Sequence, residues 1–432
     1  MNKTKFEYSP SLMLALAVVF VMVIPVLSGC AAKNDFPYDD NVYSTKYFAG
    51  DSVYFSFYTD QLGCAYMDDP GKAYYACIDP LCLHDGVKCP AYSFPYAETL
   101  VVRPEERDDP FVFIFGRHGA YDYVDGKLDR VDSYTADCAK ISVFDAANGQ
   151  NRVIAEEDFS RVNEAWYLNG KIYMSVWYLY PAGGASNRIG ALDVRTGEYS
   201  EIDADEEATA IGISEGRLYY ITASGSVYSC DSSLSDIRDE YECGISSMRS
   251  DNVTLTAYAD SGMLYYEKNC HVADEYMGKE GAWNYMISDV YAVRLNDKDA
   301  GEALVAEGVY RFHVCNGDLY YNVWDYEEHG TVSMSGIETT VRSYDGGTLM
   351  HYDSENGASE ECFSDCGISF FKIYDVTDEY VIFWGVQYRD PETCVNFDMN
   401  LYMCVCNIRT GEWFVLYHST LPKDVENTFM SF

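Results

Sequence analysis

Apolar and polar positions alternate along this chain in short runs, and one run recurs. A small turn residue leads into a strand with an aromatic centre. The copies are Gly50-Asp51-Ser52-Val53-Tyr54, Gly170-Lys171-Ile172-Tyr173, Gly216-Arg217-Leu218-Tyr219-Tyr220, Gly262-Met263-Leu264-Tyr265-Tyr266 and Gly317-Asp318-Leu319-Tyr320-Tyr321. Phe111-Val112-Phe113-Ile114-Phe115, after Asp109-Pro110, and Tyr380-Val381-Ile382-Phe383-Trp384, after Asp378-Glu379, are looser members, which makes seven. Neighbouring copies stand about 46 residues apart at the tightest and about 60 at the widest, a period that belongs to repeat architectures.

A second element follows in most units: an alternating strand that runs into a turn. Examples are Ile141–Asp145 before Asn148-Gly149, Ala191–Val194 before Thr196-Gly197, Val290–Val293 before Asn296-Asp297 and Leu401–Val405 before Thr410-Gly411. Glycine at such turns accepts the positive φ that a tight strand reversal needs. Each unit therefore reads as an antiparallel meander. Repeated meanders with almost no helical periodicity predict an all-β chain, a β-propeller of seven blades with four strands each. Each blade has two apolar faces that only its neighbours can cover, so adjacent aromatics such as Tyr219 and Tyr220 are expected to enter opposite inter-blade layers. A β-sandwich would need fewer copies and no constant phase. Residues 47–417 give about 53 per blade, above the roughly 40 to 45 of WD-type blades, and the excess is expected in loops at Cys77–Pro95, Tyr178–Ser186, Cys270–Asn284 and Trp324–Thr340.

Composition narrows the partners. The formal charge is −39, from 30 basic and 69 acidic residues, and no basic stripe exists to neutralise phosphate, so nucleic acid is not an expected partner. Hydrophobic content of 48% with 40 tyrosines supports a large core rather than a disordered stalk. At the start, Lys3 and Lys5 precede an apolar stretch from Leu12 to Leu27, and Leu27-Ser28-Gly29-Cys30 follows. This resembles a secretory signal ending in a bacterial lipobox. The resemblance implies removal of residues 1–29, diacylglyceryl and further acyl (palmitate-type) modification of Cys30, and an extracytoplasmic location on the cell membrane. Acyl chains contribute about 0.8 kcal/mol per buried methylene and can hold a domain without a spanning helix. Residues 30–46 are expected to be the lipidated N-terminus and a spacer, and 47–432 a single propeller domain.

The most distinctive segment of the remaining chain is Cys77-Ile78-Asp79-Pro80-Leu81-Cys82-Leu83-His84-Asp85-Gly86-Val87-Lys88-Cys89, with spacing C-x4-C-x-H-x4-C. Here the chain resembles a family of uncharacterised β-propeller lipoproteins of Gram-positive gut-type bacteria. That resemblance implies fold and compartment and brings no established activity. Two chemistries stay open at Cys77, Cys82, His84 and Cys89. Oxidation outside the cytoplasm would give one disulfide among the thiols, with the leftover cysteine pairing elsewhere, for example with Cys64. Three thiolates and an imidazole would instead close a tetrahedral zinc site, although the spacing departs from the usual two-residue knuckle. Fourteen cysteines remain beyond Cys30. Cys362 and Cys366 could bridge a short turn, whereas Cys404 and Cys406 share one face of a strand and read as small buried hydrophobes.

Catalytic signatures are lacking. There is no P-loop, H-E-x-x-H or dinucleotide fingerprint. Ser343-Tyr344-Asp345-Gly346-Gly347 resembles the start of a sialidase Asp-box, but occurs once and ends in Leu349 and Met350. The seven histidines stand singly, with only His84 in a constellation, and Asp203–Glu207 lacks calcium-loop spacing. The expectation is a non-enzymatic, membrane-anchored propeller with no organic cofactor, zinc being the one metal its donors suit. Trp177-Tyr178-Leu179-Tyr180 and Trp324-Asp325-Tyr326 are candidate surfaces for a glycan or protein partner. The alternatives are a carbohydrate-active enzyme, which needs axial carboxylates of raised pKa, and a scaffold for surface protein complexes.

Overall fold

The hairpin turns explain the architecture. Four blades join their first two strands through two residues that both hold positive φ: Asn169-Gly170 (52° and 77°), Glu215-Gly216 (50° and 72°), Ser261-Gly262 (47° and 81°) and Asn316-Gly317 (53° and 85°). This is the type I′ geometry, whose twist matches that of the strands it joins. A computed structural model describes residues 42–420 apart from 57–60, 70–71, 85–87, 94–96, 117–120, 125–126, 131–138, 180–184, 203–206, 246–248, 251–252, 255, 273–285, 324–325, 335–336, 345–346, 365–369 and 389–398. Among the described residues no helix is long and apolar enough to cross a membrane.

Seven antiparallel sheets form a ring, a seven-bladed β-propeller. Blade 1 is Phe48–Ala49, Ser52–Phe55, Gly63–Tyr66 and Ala73–Tyr75, and blade 2 is Glu98–Pro104, Phe111–Phe115, Ala139–Asp145 and Gln150–Glu157. Blade 3 is Arg161–Leu168, Lys171–Leu179, Ala185–Asp193 and Tyr199–Glu201, and blade 4 is Ala208–Ser214, Arg217–Thr222, Ser226–Cys230 and Arg238–Glu242. Blade 5 is Ala257–Asp260, Met263–Val272, Met286–Arg294 and Ala303–Val309. Blade 6 is Arg311–Cys315, Asp318–Val323, Thr348–Asp353 and Ala358–Phe363, and blade 7 is Phe370–Val376, Tyr380–Tyr388, Met399–Asn407 and Trp413–Thr420. All seven aromatic repeats of the sequence are second strands, and the alternating runs that follow them are third strands.

The paired tyrosines divide as the meander requires. Tyr220 enters the blade 3–4 core and Tyr219 the blade 4–5 core. Tyr266 and Tyr265 serve the blade 4–5 and 5–6 layers, and Tyr321 and Tyr320 the 5–6 and 6–7 layers. Burying one such ring removes roughly 150–250 Å² from water, about 4–6 kcal/mol before entropy. Its hydroxyl then needs an acceptor. Tyr265 donates to the Gly317 carbonyl of the next blade at 2.7 Å, and Tyr173 to the Ser232 carbonyl at 2.7 Å. Cys404 and Cys406 lie in the blade 6–7 core while Val405 faces blade 1, the alternation expected for them.

Two features differ from expectation. Within the segment assigned as spacer, Val42–Thr45 forms a strand on the inner edge of blade 2, paired from Val42 with Pro104 to Thr45 with Val101. Val42, Tyr43 and Thr45 favour strands, but a run of four is too short to show a period, and pairing with an existing edge supplies the order. Further loop excess also lies between the second and third strands of blade 2, as a small hairpin of Tyr121–Val124 and Lys127–Arg130. Each blade is built from consecutive strands, so blades 7 and 1 meet through side-chain packing around Phe48, Val53, Ile382 and Met403.

Candidate metal centre

The connector from blade 1 to blade 2 carries the Cys/His segment, and backbone bonds tie it down at both ends. Ala76 N–H donates to the Leu62 carbonyl at 2.9 Å, and Leu62 N–H to the Ala91 carbonyl at 2.7 Å. Asn151 Nδ2 donates to the Tyr92 carbonyl at 3.0 Å, which ties the connector to the outer strand of blade 2. Between these anchors, Pro80 pre-sets a turn in which Cys82 N–H reaches the Asp79 carbonyl at 3.1 Å and the Asp79 carboxylate accepts from Leu81 N–H at 2.9 Å. His84 has φ 54°, a left-handed corner that costs a non-glycine residue about 1–2 kcal/mol. This corner brings the imidazole back towards the thiols. Ile78 lies on the blade 2 turn, where a Cβ at Gly149 would stand 2.4 Å from Ile78 Cγ1.

Cys77, Cys82, His84 and Cys89 present one donor atom each, all within 4.8 Å of one another. Cys89 Sγ lies 3.8 Å from His84 Nδ1, and His84 N–H donates to Cys82 Sγ at 3.4 Å. Cys89 is buried and the other three are half-buried. Burial, and after it the neighbouring Cys82 and Cys77 thiols, push the Cys89 thiol up to about 12 against an Ala91 backbone bond. The His84 ring stacks on Tyr75 at 4.6 Å between centroids, and Cys77 and Cys82 pack on the blade 1–2 core. The three cysteines are free thiols, as is Cys64, which is buried in that same core and is not among the four donors. Tetrahedral ligands at zinc–sulfur bonds of about 2.3 Å place sulfurs about 3.8 Å apart, so closing around an ion needs movements of about an ångström. A soft set of three sulfurs and one nitrogen suits zinc, and four protein ligands leave no open position for substrate.

A second polar concentration, which sequence reading missed, lies among the innermost strands. Lys46 Nζ stands 3.1 Å from Glu98 and 3.5 Å from Glu164, in blades 2 and 3. Asp375 of blade 7 accepts from Tyr47 N–H at 2.9 Å and Val376 N–H at 3.1 Å, and faces His313 Nε2 of blade 6 at 4.0 Å. Tyr258 of blade 5 packs on the His313 ring at 5.0 Å. Burial opposes the Lys46 charge, but Glu164 and Glu98 outweigh it and hold the ammonium well above the ordinary lysine value. Burial raises the Asp375 carboxyl, opposed by His313, and lowers the His313 imidazole, opposed by Asp375. Burial likewise raises Glu267, against Arg311 and the Thr256 N–H bonded to it at 2.7 Å.

The remaining candidates separate. His351 bridges Asp318 at 3.1 Å and Glu360 at 3.5 Å and stacks on Tyr320. Ser354 Oγ donates to the same Asp318, so aspartate rather than histidine is the central member and the imidazole bonds the carboxylate, not the hydroxyl. Arg161 covers the Trp177 ring at 4.2 Å, and Tyr178 donates to Glu201. Cys30, Tyr180, Trp324, Asp325, Asp345 and Cys366 lie outside the described residues, as do 203–206 of the acidic run.

No protein-family model and no curated protein matches the chain. Solved structures with similar architecture include a puromycin-hydrolyzing peptidase of Mycobacterium tuberculosis, at 12% identity and TM-score 0.47, covering 89% of this chain and 54% of that one. A prolyl endopeptidase structure matches at 10% identity and TM-score 0.44, covering 96% and 56%. Sqt1 of Saccharomyces cerevisiae matches at 9% identity and TM-score 0.39, covering 89% and 96%. The chain thus spans little more than half the length of these two peptidase chains.

Proposed function

We propose that this chain is a lipid-tethered extracytoplasmic propeller that acts as a non-catalytic recognition module for a glycan or protein partner, with a structural zinc ion clipping blade 1 to blade 2. The observation that carries the zinc is the convergence of Cys77, Cys82, His84 and Cys89 within 4.8 Å. They sit on a connector bonded to both blades, so a metal there would fix the junction rather than meet a substrate. The non-catalytic reading is supported by the axial groups. Glu267 and Asp375 are each 3% exposed and already bonded to backbone N–H groups, whereas a glycosidase needs carboxylates that flank a bound sugar. Tethering rests on the lipobox-like Leu27-Ser28-Gly29-Cys30, and a chain of charge −39 repelled by anionic envelope surfaces gains from an anchor.

Elemental analysis of the full chain purified under reducing conditions is expected to find one zinc per chain. Less than about a tenth of an equivalent would overturn the metal assignment. Mass spectrometry of the N-terminal peptide from membranes is expected to show an acylated Cys30, and Cys30→Ser to release the protein from the membrane fraction. An unmodified Cys30 would overturn the tether. A glycan and peptide array tests recognition, and silence across both classes counts against it.

A further inference from the structure

We propose that the four donors form a redox-gated site, in which the reduced side chains hold zinc and a hydroperoxide converts Cys82 and Cys89 to a disulfide that expels the metal. The proposal rests on the zinc assignment above. Its basis is that the atoms that would ligate metal are also close enough to bond one another. All four donor atoms lie within 4.8 Å of one another. Forming a bond of about 2.05 Å from that separation is within the motion of a surface connector. Cys82 is the half-buried partner, and His84 N–H already points at its sulfur, so a peroxide reaches it first and its negative charge is met by a donor. Cys89, buried behind it, is placed to resolve the oxidised sulfur.

The electrons balance in two steps. The Cys82 thiolate attacks the peroxide O–O bond, forming a sulfenic acid and, with one proton, releasing water from hydrogen peroxide. The Cys89 thiolate then attacks that sulfur, forming the S–S bond and expelling hydroxide, which takes a second proton to become water. Two thiolates, one peroxide and two protons thus become one disulfide and two waters. The two electrons lost by sulfur reduce the O–O bond. Only Cys77 and His84 then remain as ligands, too few for a structural zinc site. A dithiol reductant reverses the step and restores the donor set. The consequence is local. Leu81 and Leu83, on either side of Cys82, are 88% and 81% exposed, so moving that sulfur relocates the most exposed large apolar side chains described.

The test uses the full zinc-loaded chain treated with hydrogen peroxide. A chromogenic chelator reads released zinc, Ellman's reagent counts thiols, and peptide mapping locates the bond. The expected result is one zinc released per two thiols lost, a Cys82–Cys89 disulfide, and an affinity for zinc lowered at least about a hundredfold until dithiothreitol is added. Cys64→Ser is expected to behave as the parent, and Cys89→Ser to give a Cys82 sulfenic acid that dimedone traps. Zinc retained after peroxide, or zinc lost with no disulfide among Cys77, Cys82 and Cys89, overturns the gating while leaving the zinc assignment intact. Failure of the reduced chain to take up any zinc overturns both.

Discussion

Two polar clusters are built into this propeller, and they differ in what their members pair with. Near the axis, every charge has an opposite or a backbone partner: Lys46 sits between Glu98 and Glu164, and Asp375 accepts two N–H groups beside His313. At the junction of blades 1 and 2, three thiols and an imidazole converge within 4.8 Å of one another. A satisfied network explains itself as structure, because burying a charge demands a partner. A set of like soft donors brought together by a strained histidine and a bonded connector has no such reason, and points to something that is added to it.

The widest separation between the clusters should come from removing metal. Adding a tight chelator to the zinc-loaded chain is expected to lower unfolding stability by about 4 kcal/mol if free zinc is about a thousand times its dissociation constant. Urea unfolding with and without chelator measures this, and Cys89→Ser should lose the difference. If chelator leaves the curve unmoved, the rim cluster is as self-sufficient as the axis and the contrast fails.

The axis should break differently, by losing its own cation. Lys46→Met takes from Glu98 and Glu164 the cation that they share. Stripping one member from a buried pair costs about 3–5 kcal/mol, and partial exposure here, 14% at Lys46 and 33% at Glu164, reduces the expectation to about 1–3 kcal/mol. Adding Glu98→Gln to that variant should recover part of the loss, since one of the two like charges around the lost cation is then gone. Denaturation at low and high salt checks both. An unchanged Lys46→Met would mean the axial charges are solvated separately.

The two regions also differed in how much the sequence disclosed. Cys77, Cys82, His84 and Cys89 fall within one connector, so their spacing alone announced a cluster. The second strands were legible too, because an aromatic pair such as Tyr219-Tyr220 must serve two layers and a dipeptide such as Asn316-Gly317 favours positive φ. The axial residues were silent. Lys46, Glu98, Glu164, Tyr258, His313 and Asp375 come from different blades and become neighbours only when the ring closes, so no local pattern links them. Val42–Thr45 was hidden for a related reason, since its order comes from the edge it joins.

Acidity should act on Asp375 and on the Cys/His cluster in opposite directions. The folded pKa of Asp375 is raised by burial, so its titration favours the fold below the unfolded value near about 4 and that advantage is lost as pH rises through the folded value. His313 is lowered by burial, so its contribution is complete above about 6.5 and is lost as pH falls through the depressed value. Asp375→Asn removes the first titration. Its stability relative to the parent should therefore rise as pH increases from about 4 towards 7. Over the same range the chelator-sensitive part should grow, because protons compete with zinc for thiolates and imidazole. Parallel slopes would remove the distinction between a self-paired network and a ligand-dependent one.

The smallest effect tests whether the apolar tips of the rim connector belong to its stability at all. Leu81 and Leu83 are 88% and 81% exposed while Cys82 between them packs on the core, so their side chains remove little surface from water on folding. Replacing both with Ser should change stability by no more than about 0.5 kcal/mol each and leave the zinc stoichiometry at one. If the double variant instead unfolds early or fails to hold zinc, the leucines pack on the connector in solution and the donors are held by that packing. If it keeps both, the connector is held by its backbone bonds and by metal, and these leucines take no part in holding it.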